Sequence, residues 1–145
     1  FGITLEESLL AAEYLASEGN SNVIFALRGM KTNMGDPHRN FVDFAHVPVV
    51  KSLTRMPVCI DPSHSVGSLN VAPDGITEVS HVTAQGIIAG ANMVLVDFHP
   101  CPECALVDGP QALTIPELPY FIEDINIARE AYQKRIDLAK KYRAE

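Results

Sequence analysis

Three short stretches carry oxygen and imidazole groups where they could act together. The first is Asp61-Pro62-Ser63-His64-Ser65, which follows directly on the apolar run Val58-Cys59-Ile60. Asp97 and His99 follow Val94-Leu95-Val96 in the same way, and Asp108 comes a little later. In α/β proteins the carboxyl ends of strands are where ligands bind. One imidazole and two carboxylates, His64, Asp97 and Asp108, form a donor set that suits Mn, Fe, Co or Zn better than Ca or Mg. Each alone is more often a hydrogen-bonding loop residue, and Asp61 is a common turn former. Recurrence at two neighbouring strand ends is what favours joint use. Asp61 and His64 are the residues expected to take part in catalysis. His99, just before Pro100, is left open between facing a substrate, supporting a metal ligand and simple packing.

A cationic group precedes these stretches. Arg28-Gly29 follows the apolar run Val23-Ile24-Phe25-Ala26-Leu27, and Lys31, His38 and Arg39 come next. A guanidinium at a strand end beside a glycine is a good fork for phosphate or carboxylate. Arg28, Lys31 and Arg39 are therefore the candidate substrate-binding residues, with Arg28 the best placed. Cys101-Pro102-Glu103-Cys104 is a C-x-x-C, but Cys59 is the only other cysteine. A zinc site would need a second such pair. The expectation is two small loop residues without dedicated chemistry, with a redox pair as the alternative.

These residues need strands and helices to position them. Thr4 with Glu7 reads as a capping box opening a helix from Leu5 to Glu18. Strands are expected at Asn22 to Leu27, Pro57 to Ile60 and Asn92 to Val96, all nearly continuously apolar, as parallel strands covered on both faces are. Their starts lie roughly 35 residues apart, enough for a strand, a helix and two loops. Helices are expected from about Phe44 to Leu53, around Val47, Val50 and Leu53, and from about Ile76 to Ala89, around Ile76, Val79, Val82 and Ile87. The last helix runs from about Ile115 or Pro116 to Tyr142, with Phe121, Ile125, Ala128 and Tyr132 at helical spacing. Gly19 and Gly90 sit where helices should stop. The order α-(βα)₃ fits a small open three-stranded sheet or the closing part of a (β/α)₈ barrel. Long polar loops after the strands, at 28–40, 61–74 and 97–113, favour the barrel. No second domain is expected within residues 1–145.

The 145 residues suffice for one domain with a real core. A net charge of −7 argues against a nucleic-acid surface. The longest apolar run, Gly86 to Val96, is too short to span a bilayer and contains Asn92, so no membrane is expected. The opening residues lack the basic start and apolar centre of a signal peptide, and three cysteines make no disulfide framework. A cytoplasmic location is the expectation.

With these residues in view the sequence resembles the type I family of 3-deoxy-D-arabino-heptulosonate 7-phosphate (DAHP) synthases. The resemblance rests on Leu27-Arg28-Gly29-Met30-Lys31-Thr32 through His38-Arg39-Asn40, Val47-Pro48-Val49-Val50, Asp61-Pro62-Ser63-His64-Ser65, His99-Pro100 and Ala105-Leu106-Val107-Asp108-Gly109. Leu9-Leu10-Ala11-Ala12-Glu13-Tyr14 and Ser17-Glu18-Gly19-Asn20 fit the family's helix before the sixth strand. The relative 3-deoxy-manno-octulosonate 8-phosphate synthase shares the fold and much of the site. The resemblance implies the C-terminal part of a (β/α)₈ TIM barrel, and condensation of phosphoenolpyruvate with erythrose 4-phosphate, the first step of the shikimate pathway. It implies that Arg28 grips the phosphoenolpyruvate phosphate and that His64, Asp97 and Asp108 hold a divalent metal (Mn, Fe, Co or Zn). The family usually has glutamate at the position of Asp97, and acidic or polar residues at those of Cys101 and Cys104. The loop from Asn33 to Pro37 also departs from the family pattern. The family's metal-binding cysteine, Lys-Pro-Arg motif and a further substrate lysine lie on its first five strands, outside residues 1–145. The implied partners are therefore a chain or segment supplying the N-terminal half-barrel, and further copies in a homo-oligomer. Alternatives are another acceptor sugar or a non-catalytic half-barrel subunit.

Overall fold

The computed structural model describes residues 4–32 and 37–143; residues 33–36, which make up most of the divergent loop noted above, lie outside them. Helix α1, Leu5–Ser17, opens with the expected box: Thr4 Oγ1 accepts from the Glu7 backbone N–H and the Glu7 carboxylate accepts from Thr4 N–H. It stops before Gly19, at φ +91°, a conformation that costs glycine little.

Strands β1 (Phe25–Leu27), β2 (Val58–Ile60) and β3 (Met93–Val94) form one parallel sheet in sequence order. Phe25 pairs with Val58, Leu27 with Ile60 and Ile60 with Val94. The regular strands are shorter than the apolar runs, although ladder bonds extend past them: Leu95 N–H donates to Ile60 O and Asn92 N–H to Val58 O. All of β2 is buried, as a central strand must be. Ile24, Met93 and Leu95 remain 49%, 48% and 47% exposed, so the outer strands still present apolar surface.

The crossovers are α2 (His46–Thr54) and α4 (Glu78–Ile88), and α5 (Leu118–Arg143) packs along α4. Val47 and Val50 of α2 and Val79, Val82 and Ile87 of α4 are buried, as their spacing requires. Leu53 departs from expectation: it is 62% exposed, in the last turn of α2. Gly86 lets α4 lie directly on β2; a Cβ there would meet Ile60 Cδ1 at 2.3 Å. The carboxyl end of α4 is met by cations, with Arg135 donating to Ile88 O and Lys51 to Gly90 O, the pairing that a helix dipole favours. No helix among the described residues is long and apolar enough to cross a membrane.

One element corrects the sequence reading. The stretch after β2 is a helical turn, α3, Pro62–Val66. Asp61 is its N-cap, accepting from His64 N–H, and Pro62 occupies the first turn. An aspartate followed by proline is a good helix start, but over five residues it has too little periodicity to be distinguished from a loop.

Candidate metal centre

The turn α3 is what aims His64. Its ring Nδ1 lies 2.9 Å from Asp61 Oδ1 and 2.8 Å from Oδ2. Asp61, 6% exposed, is anchored in turn by its own N–H, which donates to Leu27 O across the sheet. A carboxylate facing Nδ1 favours the tautomer protonated there and leaves Nε2 as the free donor atom. Nε2 lies 3.7 Å from Asp108 Oδ2, while Nδ1 lies 3.8 Å from Asp97 Oδ2.

Asp97 follows β3 and is held by its backbone: its N–H donates to the buried Ser63 Oγ at 3.0 Å and its carbonyl accepts from Leu113 N–H. Asp108 reaches the same place from the far end of the loop, with φ +55°. Loop and strand are closed at the base by pairing of Phe98 with Leu113. One donor atom from each of His64, Asp97 and Asp108 can be chosen so that all lie within 4.8 Å of one another. Metal–ligand bonds of about 2.1 Å put neighbouring donors roughly 3–3.5 Å apart, so the cluster is close to the size of a divalent ion. All three are partly exposed, leaving access from the rim, and the mixed nitrogen and oxygen donors fit a transition metal.

The cations fall into different places. Arg28 stands at the end of β1 with Nε 3.9 Å from Asp61 Oδ2, beside the cluster. Gly29, at φ +86°, allows the returning loop to press close: a Cβ there would meet both Asn40 Cβ and Phe41 O at 2.8 Å. Asn40 then ties the loop to α3, its Nδ2 donating to His64 O at 2.6 Å. Arg39, a candidate for substrate binding, donates to Asp108 Oδ1 at 2.8 Å and to Gln111 Oε1 at 3.0 Å. That hydrogen bond, aided by the charges of Arg39 and Arg28, holds the Asp108 carboxyl below its ordinary pKa. Arg39 also lines a cleft of about 430 Å³ with His38, Ser68 and Asp108. Lys31 is exposed. His38 Nε2 lies 3.5 Å from Glu78 Oε2.

Sequence reasoning missed Gln111. Its side chain is 1% exposed, and Nε2 donates to Asp97 Oδ2 at 2.6 Å while Oε1 accepts from Arg39. It therefore links two carboxylates of the cluster. The only sequence signal was the turn Asp108-Gly109-Pro110 just before it, which says nothing of an amide's partners. His99 turns toward the Cys101 backbone, with Nδ1 2.7 Å from its carbonyl O. Cys101 and Cys104, expected as two small loop residues without dedicated chemistry with a redox pair as the alternative, are paired as a disulfide, with Cα atoms 5.3 Å apart.

A parallel βα array carrying an imidazole–carboxylate cluster at its strand ends is part of a (β/α)₈ barrel with a candidate metal centre. The DAHP synthetase I family matches residues 1–133, and the chain belongs to that family. It is 32% identical over 134 residues to a phospho-2-dehydro-3-deoxyheptonate aldolase of Thermotoga maritima, a match covering 92% of this chain and 37% of that protein. A 2-dehydro-3-deoxyphosphooctonate aldolase of Trichlorobacter lovleyi is 30% identical over 113 residues, covering 75% of this chain and 40% of the relative. Among solved structures, a truncated 3-deoxy-D-arabino-heptulosonate 7-phosphate synthase from Thermotoga maritima superposes with a TM-score of 0.79 at 34% identity. That match covers 90% of this chain and 47% of the other. The chain thus spans less than half the length of the proteins it matches.

Proposed function

We propose that residues 1–145 form the metal-binding wall of an enzyme that condenses phosphoenolpyruvate with erythrose 4-phosphate, releasing phosphate. The observation that carries this reading is the convergence of His64, Asp97 and Asp108 beside Arg28 at the ends of three parallel strands. A bound divalent metal supplies a Lewis acid for the aldehyde oxygen of the acceptor. Around it the protein's own groups have distinct tasks. Asp61 accepts a hydrogen bond from His64 Nδ1–H and so presents Nε2; Gln111 orients Asp97; Arg39 offsets the charge of Asp108. Arg28 offers a guanidinium to the phosphoenolpyruvate phosphate, at a distance from the cluster that Asp61 bridges. Lys31 and Arg39 are the further candidates for anionic parts of the substrates, Arg39 through the cleft it lines. The remaining strands of the barrel, and with them further substrate contacts, come from a segment or chain outside these residues. Assembly into a homo-oligomer and a cytoplasmic location belong to the same reading.

The test is a phosphate-release assay on the protein supplied with its upstream strands, with phosphoenolpyruvate and erythrose 4-phosphate, before and after metal removal by chelation. Metal-restorable turnover supports the reading, and turnover that survives complete chelation refutes the metal's part in it. A second reading, with a different acceptor sugar phosphate, is favoured by the relatives named 2-dehydro-3-deoxyphosphooctonate aldolase. Faster turnover of a five-carbon sugar phosphate than of erythrose 4-phosphate in the same assay would establish it. No turnover with either acceptor, in a metal-loaded complete barrel, would favour a non-catalytic subunit.

A further inference from the structure

We propose that Cys101 and Cys104 are a reversible dithiol–disulfide couple that sets the divalent-metal affinity of the adjoining His64–Asp97–Asp108 cluster. The inference rests on the metal reading above and goes beyond it in adding a redox modification site. Both cysteines are exposed, and their Cα separation of 5.3 Å lies within the ordinary range for a disulfide. Cys59 is different: it is buried, and burial together with the Asp61 charge pushes its thiol up, away from the reactive thiolate. Exchange chemistry is thus confined to one exposed pair.

The position of that pair gives it leverage. Cys101 to Cys104 lie on the segment joining Asp97 to Asp108. One side of the bridged turn is fixed by His99, whose Nδ1 lies 3.0 Å from Cys101 N and 2.7 Å from Cys101 O. The other side lies close to the residue after Asp108: a Cβ on Gly109 would sit 2.3 Å from Pro102 O. Asp108 itself sits at φ +55°, a left-handed conformation that aspartate tolerates better than most side chains but still adopts infrequently. The disulfide closes the turn that lies against Gly109. Opening it frees Pro102 to withdraw from Gly109, and Asp108 can then relax away from His64.

The exchange balances with a dithiol reductant. A reductant thiolate attacks one sulfur of the pair, forming a mixed disulfide and releasing the other cysteine as a thiolate that takes up a proton. The reductant's second thiol then displaces the first cysteine. Two electrons and two protons pass to the protein, and the reductant leaves as a cyclic disulfide.

The experiment titrates Mn²⁺ into the full chain by calorimetry in two states. One is oxidised; the other is reduced with dithiothreitol, which is removed by anaerobic gel filtration. Maleimide labelling and intact mass count the thiols in each. The oxidised form should label only at Cys59, and only after unfolding; the reduced form should gain two labels. Mn²⁺ should bind the oxidised form three- to tenfold more tightly, and Cys101→Ser/Cys104→Ser should match the reduced form whatever the redox history. By linkage, saturating Mn²⁺ should shift the pair toward disulfide by the same factor in a thiol–disulfide buffer. Equal affinities in the two states, or tighter binding by the reduced one, would overturn the switch while leaving the metal reading intact. No Mn²⁺ binding in either state, by the chain supplied with its upstream strands, would overturn both, and a pair that cannot be reoxidised would overturn the switch alone.

Discussion

Gln111 and Asp97 are joined by a 2.6 Å hydrogen bond from an amide with almost no solvent exposure. The amide has one orientation that satisfies both neighbours, Oε1 toward the Arg39 guanidinium and Nε2 toward the carboxylate. Gln111 therefore restrains Asp97 directly and Asp108 through Arg39. Such supporting contacts are typically worth about 10- to 100-fold in metal affinity. Gln111→Leu should weaken Mn²⁺ binding by about that factor and cost about 1–3 kcal/mol of stability, because two hydrogen bonds to charged groups, Asp97 and Arg39, are lost. Calorimetric titration and urea unfolding read the two effects separately. Undiminished Mn²⁺ affinity in the leucine variant would remove Gln111 from the site.

His64 separates ligand from scaffold. The Asp61 cap on α3 is made to the backbone N–H of His64, so His64→Ala keeps it while deleting the ring. The variant should remain folded and lose Mn²⁺ binding almost entirely. Asp61→Asn is the complementary change, since asparagine caps helices as well as aspartate does but removes the charge facing Nδ1. It should leave α3 intact and reduce Mn²⁺ affinity about 10- to 100-fold. Circular dichroism and Mn²⁺ electron paramagnetic resonance distinguish these results from unfolding. Full Mn²⁺ binding by His64→Ala would sink the ligand assignment.

Much of this arrangement was legible in the chain because it depends on local signals. The Thr4–Glu7 box, the buried valines of α2 and α4 and the three apolar strand runs are each readable within a short window. The convergence of His64, Asp97 and Asp108 was legible because imidazole and carboxylate groups are unusual at the ends of apolar strands. What escaped depends on long-range approach. Arg39 reaches Asp108 across 69 residues, which requires Gly67, where a Cβ would come 2.6 Å from Arg39 Cβ. Gln111 carries no titratable group and becomes visible only once Asp97 and Arg39 are placed on either side of it. Leu53 shares the spacing of Val47 and Val50 yet stays exposed in the last turn of α2; the periodicity of a single helix does not encode how far its neighbours extend along it.

Gly86 tests how tightly the scaffold is built. Alanine at this position should gain about 1 kcal/mol in helix propensity. Its Cβ, however, would approach Ile60 Cδ1 to 2.3 Å and both Ile60 Cγ2 and Phe44 Cδ2 to 3.0 Å. Both neighbours are core residues with nowhere to retreat, and overpacking of this kind costs about 1–3 kcal/mol. Gly86→Ala should therefore be net destabilising by roughly 1 kcal/mol, the difference between the propensity and packing terms. Adding Ile60→Val should recover part of the loss, a coupling readable from a double-mutant cycle by urea unfolding. A more stable single variant would mean that α4 and β2 are less closely packed than described.

The Arg39–Asp108 pair makes a prediction about acid. Its hydrogen bond and charge lower the Asp108 carboxyl from the ordinary value of 3.8, with Arg28 assisting. A carboxylate whose folded pKa lies below its unfolded one adds stability that is fully present above the unfolded value. That contribution is lost as pH falls through the folded value. Arg39→Met keeps much of the side-chain length but removes the donor, so the Asp108 titration should move up toward 3.8 and acid unfolding should begin at a higher pH. Carbon-detected NMR of the Asp108 carboxyl follows the first effect, and circular dichroism from pH 6 to 2 follows the second. The pair is partly exposed, so raising the salt concentration should shrink the difference between wild type and Arg39→Met. An Asp108 midpoint that does not move when Arg39 is replaced would show that the guanidinium does not control this carboxylate, and would leave Gln111 as the sole link between Arg39 and the cluster.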